Sequence, residues 1–183
     1  INRNYHEFNH SFFNRGGVEW FWTGKTYLSQ CFVNLKTGET YDNSQSETIT
    51  SSSFCWAEVI ANPSGTILAV VGCVWGGSYE ILFYDFSDPS KGWPIIPLHY
   101  QADYELNADR DYELKWVGDA TVEYTLSRQS SDLFDDLTIE QPPDSDEVYN
   151  KEFHYGVVLE KKDGKMCHIK TRSSDAHIKE IED

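Results

Sequence analysis

No part of the 183-residue sequence stays apolar for the roughly 20 residues that a membrane-spanning helix needs. The opening INRNYHEFNH lacks the basic, apolar and small-residue zones of a secretory signal. A cytoplasmic protein is therefore expected, with a start that is trimmed or processed, since the chain begins on Ile1 rather than Met. Basic residues are scarce. Fifteen Lys and Arg stand against 30 Asp and Glu, a formal charge of −15. Phosphate backbones and anionic lipids reward the opposite balance, so neither direct nucleic-acid binding nor membrane binding is expected. The excess of acid suits solubility, a basic protein partner or a cation.

Familiar catalytic signatures are missing too. There is no Gly-x-Ser-x-Gly elbow, no Walker loop and no glycine-rich strand-to-helix turn for a dinucleotide. Gly76–Gly77 after Trp75 reads as a tight corner rather than a phosphate cradle. No catalytic residue, metal ligand or cofactor is assigned on these grounds. The four cysteines (Cys31, Cys55, Cys73 and Cys167) form no Cys-x-x-Cys pair and each lies in an apolar run. A four-thiolate zinc site is not expected, and buried thiols of a reducing compartment are. Neighbouring strands would nevertheless bring Cys55 and Cys73 together.

No segment keeps a 3.6-residue apolar period for three turns, which leaves the sheet. Aromatic residues make up 15% of the chain and suit strands, where each ring covers its cross-strand neighbours. Strand candidates are 5–13, 18–23, 26–34, 54–61, 66–73, 80–86, 112–117, 121–127, 154–160 and 165–171. Turn chemistry separates them: RGG at 15–17, KTGE at 36–39, NPSG at 62–65, VGDA at 117–120 and KKDG at 161–164. The expectation is one all-β domain over 1–183, an antiparallel meander of about ten short strands.

Two stretches interrupt that pattern. DPSKGWPIIP at 88–97 carries three prolines and must be a loop or an extended edge. Residues 129–152 hold eight acidic residues against one Lys and read as a long acidic loop or insert. The tail 173–183 reads as frayed or briefly helical.

Residues 54–86 answer most directly for architecture. In YEILFYDF, at 79–86, Ile81 and Phe83 share one face while Leu82, Tyr84 and Phe86 share the other. Both faces are apolar, and TILAVVGC at 66–73 is apolar without interruption. Such strands belong in the middle of a fold, covered on each side.

The order of strand, Asn62–Pro63–Ser64–Gly65, small-apolar strand (Leu68, Ala69, Val70), then Ile81, Phe83, Tyr84 and Asp85 resembles a blade of a WD-repeat β-propeller. A weaker echo is YLSQCFVNLKTGE at 27–39. The resemblance implies blade-like hairpins and a role in contacting other proteins. It departs from the family where Asp85–Phe86 replaces Trp–Asp, in lacking the Gly–His element, and in holding no period of roughly 40–45 residues. Expected, therefore, are two packed sheets or a few blade-like units in a row rather than a closed ring. The same Cys–Trp, Tyr–Glu–Ile and Tyr–Asp–Phe order is similar to bacterial and viral proteins of unassigned role.

Candidate polar sites are few. Asp85 and Asp88 end the central strand, where they either cap a turn or hold a cation. Asp144, Asp146, Asn150 and Glu152 lack the central Gly of a calcium loop and read as solvated acid. His154 and His168 fall on consecutive strands and would be cross-strand neighbours, while His6, His10, His99 and His177 stand apart. Asn9–His10–Ser11 is a glycosylation sequon, relevant only to a secreted protein.

The aromatics are the most suggestive feature. Trp20, Phe21 and Trp22 are consecutive, so at least one large ring lies on the less buried face of its strand. Trp20, Trp22, Trp75 and Trp93, with Asp135, Asp136, Asp144 and Asp146, are the candidate partner-binding residues. They point to a non-enzymatic interaction or structural module that binds a protein partner or itself. The alternatives are an acidic mimic of nucleic acid seated in a basic protein site, and a metal-dependent hydrolase using Asp85 with His154 or His168.

Overall fold

A computed structural model describes residues 9–24, 29–42, 54–74, 77, 79–99, 113–129, 152–173 and 181–182. Fourteen strands lie in them, with one 3-10 turn at Pro89–Lys91 and no α-helix. The first sheet is β1 (His10–Arg15), β2 (Val18–Gly24), β3 (Gln30–Asn34) and β4 (Thr40–Asp42), paired in that order. The middle sheet is β5 (Phe54–Ala61), β6 (Ile67–Val74), β7 (Tyr79–Asp85) and β8 (Ile95–Ile96), again in chain order. In the third, β10 (Glu113–Trp116), β11 (Thr121–Gln129), β12 (Glu152–Lys162) and β13 (Lys165–Ser173) follow one another. The outer edge of β13 takes β14 (Ile181–Glu182) antiparallel and β9 (Leu98–His99) parallel.

The first and middle sheets are four-stranded antiparallel meanders, as is the β10–β13 portion of the six-stranded third, and the reversals follow from local chemistry. Gly16 and Gly17 both have positive φ (60° and 77°), as do Asp163 and Gly164 (48° and 76°). Two such residues make the type I′ turn whose twist matches the strands it joins.

The middle sheet is covered on both sides. Leu68, Val70, Tyr84 and Phe86 pack with Trp20, Trp22 and Phe32 of the first sheet. Ile67, Ala69, Val71, Ile81 and Phe83 pack with Val122, Tyr124, Leu159 and Met166 of the third. This is the arrangement that the two-faced sequences of β6 and β7 demand.

One feature of β5 had no sequence signal. Trp56 pairs with Gly72 and Glu58 with Val71, which leaves Ala57 as the extra residue of a bulge. The bulge resets the alternation, so Trp56 and Val59 both reach the first sheet although they stand three positions apart. Gly72 is required there, because a Cβ would strike the Cys55 carbonyl and the Phe54 ring.

Polar clasps tie the layers together. Buried Asn62 accepts hydrogen bonds from the amides of Thr66 (2.8 Å) and Ile67 (2.9 Å). Its amide nitrogen donates to the Asp119 carbonyl at 2.7 Å, and the Asp119 carboxylate accepts from Ser64 N at 2.8 Å. The NPSG turn is therefore a bracket between the middle and third sheets. The Trp116 indole N–H donates to Ile60 O at 3.1 Å across the same junction. On the other side Arg15 donates through Nε to Phe86 O (3.1 Å) and through Nη2 to Ser87 O, with its guanidinium 5.7 Å from the Trp20 ring.

Each of the ten expected strands has a counterpart, while positions 5–8 of the first, 26–28 of the third and 112 of the seventh lie outside the described residues. The segment 88–97 is a 3-10 turn followed by the short edge strand β8. The tail differs from expectation: Ile181–Glu182 pairs with β13, and a two-residue strand is too short for any period to reveal. The acidic stretch between Gln129 and Glu152 lies outside the described residues.

Asn62→Ala removes the acceptor of two amides and the link to Asp119 together. It is expected to cost about 2–4 kcal/mol, because buried amides left without partners bear their full desolvation penalty. Urea denaturation of the variant beside the parent checks this, and an unchanged midpoint would contradict the bracket role.

Candidate functional site

The stack has two outward faces, and they differ in chemistry. On the first sheet, side chains that point away from the middle sheet form two cross-strand rows. One row runs His10, Thr23, Cys31, Asp42, and the other Phe12, Phe21, Val33, Thr40. Phe12 and Phe21 sit with ring centroids 5.0 Å apart, and His10 lies 6.0 Å from Phe12 and 5.9 Å from Phe21. Phe12 is 56% exposed, a large value for an aromatic ring inside a regular strand. Glu19 lies on the same face, two residues along β2 from Phe21.

The outward face of the third sheet is charged instead. Leu114 and Trp116 pack inward, so Glu113 and Lys115 point out, and Lys115 stands directly opposite Glu123. Glu160 accepts an ion pair from Lys162 at 3.2 Å. Opposite charges across strands suit a solvated face.

The expected site residues are dispersed. Trp20, Trp22 and Trp93 are buried in the layer between the first and middle sheets, so their rings are core and offer no open surface. The Trp22 indole N–H is satisfied there by buried Gln30 at 3.0 Å. The physical reason is parity: β2 carries aromatics on both faces, and the larger rings face inward while Phe21 takes the outer face. Trp75, Asp135, Asp136, Asp144 and Asp146 lie outside the described residues.

Asp85 and Asp88 build turns. Asp85 accepts from Ser87 N at 2.9 Å and from the Ser87 hydroxyl, and pairs with Lys161 of the third sheet at 3.3 Å. Burial pushes its carboxyl up, but the Ser87 hydrogen bonds and the Lys161 ammonium outweigh this and hold it below the usual range. Asp88 caps the 3-10 turn, accepting from Ser90 Oγ at 2.6 Å and pairing with Lys91 at 2.8 Å. The Lys91 and Ser90 contacts bring its carboxyl down to about 2.

His154 and His168 are not cross-strand neighbours. His168 pairs with Leu159, five residues along β12 from His154 or roughly 16 Å at strand rise. Among the described residues, no three His, Cys, Asp or Glu side chains gather where they could hold a metal ion. Nor is any helix among them long and apolar enough to cross a membrane.

The molecule is thus an all-β stack of three meandering sheets with an exposed aromatic pair, Phe12 and Phe21, on one outer face. A relative is viral. The chain is 44% identical over 189 residues to the uncharacterized protein R762 of Acanthamoeba polyphaga mimivirus, an alignment that takes in all of this chain and 74% of that protein. The chain belongs to the same family as that protein. No family model matches the sequence, and no solved structure matches the fold.

A depressed carboxyl contributes stability above its unfolded-state value and loses it as pH falls through the folded one. For Asp85 that loss begins below the ordinary value of 3.8. Asp85→Asn should therefore lower Tm at pH 7 and flatten the fall of Tm below about pH 4. Parallel acid slopes for variant and parent, read by circular dichroism, would exclude the ion pair as a junction between sheets.

Proposed function

We propose that this chain is a non-catalytic β-sheet interaction module, and that it pairs with a second copy of itself through the outer face of its first sheet. The observation that carries the reading is the contrast between the two end faces. One exposes Phe12 beside Phe21 and His10, and the other is laced with paired charges. A regular strand gains nothing in water from a ring left 56% exposed, whereas a ring pressed between two sheets removes apolar area from solvent.

Face complementarity supports a second copy as the occupant. Sheets stack with strands nearly aligned. A twofold axis between the faces and parallel to the strands sets β1 of one copy over β4 of the other. His10 then meets Asp42, Phe21 meets Val33 and Phe12 meets Thr40. Hydrogen-bonding side chains lie at the ends of one row, and Phe21 and Val33 meet in the centre of the other. At strand spacings of about 4.8 Å and rises of about 3.3 Å, the residues of the four strands offer about 330 Å² per copy and about 670 Å² in total, the size of a weak, concentration-dependent contact.

The blade-like reading fits alongside. Three successive four-stranded meanders, each laid face to face on the next in chain order, are how WD-type blades are arranged, and the outer face of the first sheet is where a further layer would continue the series. The acidic composition leaves a second role as a nucleic-acid mimic resting on the charge balance alone, so the apolar face takes precedence.

Light scattering behind size exclusion, at about 50 µM, is expected to report a dimer at 0.15 M salt. Phe12→Asp should yield a monomer whose Tm is unchanged within about 2 °C, because the ring is already largely exposed. A monomeric parent would overturn the proposal, and so would a Phe12→Asp dimer.

A further inference from the structure

We infer that Cys55 and Cys73 form an oxidisable dithiol that closes into a disulfide across the β5–β6 hairpin. The two residues are direct partners in the antiparallel register, and both side chains project toward the third-sheet side. Residues so opposed have Cα atoms about 4.5–5.5 Å apart, within the 4.4–6.8 Å that a disulfide spans. Cys31 stands between Thr23 and Asp42, and Cys167 between Glu160 and His99.

Two local features favour closure. At the next rung the Cys55 carbonyl lies so close to Gly72 that no Cβ fits, so the strands are already drawn together. Beyond the pair only the Phe54–Val74 rung remains in the ladder, and on the other side is the Ala57 bulge. A rung between a bulge and a strand end can adjust its twist where one in mid-ladder cannot. Both thiols are half-buried, and burial, with Cys73 beside it, raises the Cys55 thiol above its ordinary value. The Cys55 thiol therefore stays protonated at neutral pH and reacts slowly rather than as an activated nucleophile.

The oxidant is a low-molecular-weight disulfide such as oxidised glutathione. One protein thiolate attacks a glutathione sulfur, the glutathione S–S bond breaks, and the departing thiolate takes up a proton. The second protein thiol loses its proton and attacks the mixed disulfide, releasing the other glutathione. The dithiol is oxidised by two electrons and one glutathione disulfide becomes two thiols. The product fastens β5 to β6 at the Phe54–Val74 end of the hairpin.

The test incubates the whole chain with oxidised glutathione, alkylates it and maps peptides by mass spectrometry. Expected are a Cys55–Cys73 cross-linked peptide, full alkylation of Cys31 and Cys167, reversal by dithiothreitol, and a Tm higher by about 5 °C when oxidised, since the bridge constrains the unfolded chain. Cys55→Ser should stop at a glutathione adduct on Cys73, and Cys73→Ala at one on Cys55, so failure of one variant to fold leaves the other to read. Full alkylation of Cys55 and Cys73 after oxidation, stable single adducts in the parent, or a bridge to Cys31 or Cys167 would each overturn the inference.

Discussion

Everything in this fold follows from one strand with no solvent side. In β6 the residues Ile67 to Val71 are buried without alternation, so apolar groups leave both faces of the middle sheet. Side chains of this kind gain about 1.5–3 kcal/mol each on full burial. The four on one face, Leu68, Val70, Tyr84 and Phe86, therefore represent roughly 6–12 kcal/mol. That is the size of the whole net stability of a typical domain. Neither flanking sheet is an accessory. A middle sheet stripped on one side would lose as much as holds the domain together.

The polar contacts between layers then set alignment rather than strength. Hydrophobic surfaces slide, because area does not depend on register. Asn62 with Asp119, Trp116 with the Ile60 carbonyl, and Arg15 with the Phe86 and Ser87 carbonyls do not slide. Each joins a side chain of one layer to a backbone carbonyl of another, so the layers are indexed to the main chain rather than to each other's side chains. Gly65 adds a steric stop, since a Cβ there would run into Asn14 and Arg15 of the first sheet.

Much of this was legible before any coordinates. Phe54–Ala61 is β5 as expected, the two-sided burial of β6 and β7 follows from their composition, and the Gly-rich turns fall where positive φ is used. The short strands β4, β8, β9 and β14 were not legible, since two or three residues carry no period. The aromatic surface was misread for a physical reason: with rings at Trp20, Phe21 and Trp22, alternation says that the faces differ but not which one is inside. Only the partner sheet decides that, and it selects the indoles. The bulge at Ala57 was equally silent, since nothing in the residues 54–61 marks a skipped pairing. The direct pairing of Cys55 with Cys73 depends on that bulge, since the unbroken register from Ala61–Leu68 would set Cys55 against Val74; the sequence showed only that the two cysteines lie on neighbouring strands.

Pro97 is the single residue between β8, which belongs to the middle sheet, and β9, which joins the third, and its carbonyl accepts the Met166 amide at 2.9 Å. It works as a ruler. One inserted residue would advance β9 by about 3.3 Å along β13 and exchange its faces, so this connector has no room for length drift. Lineages of this family that gain or lose residues must do so elsewhere, in the connections that join strands without setting the distance between two sheets.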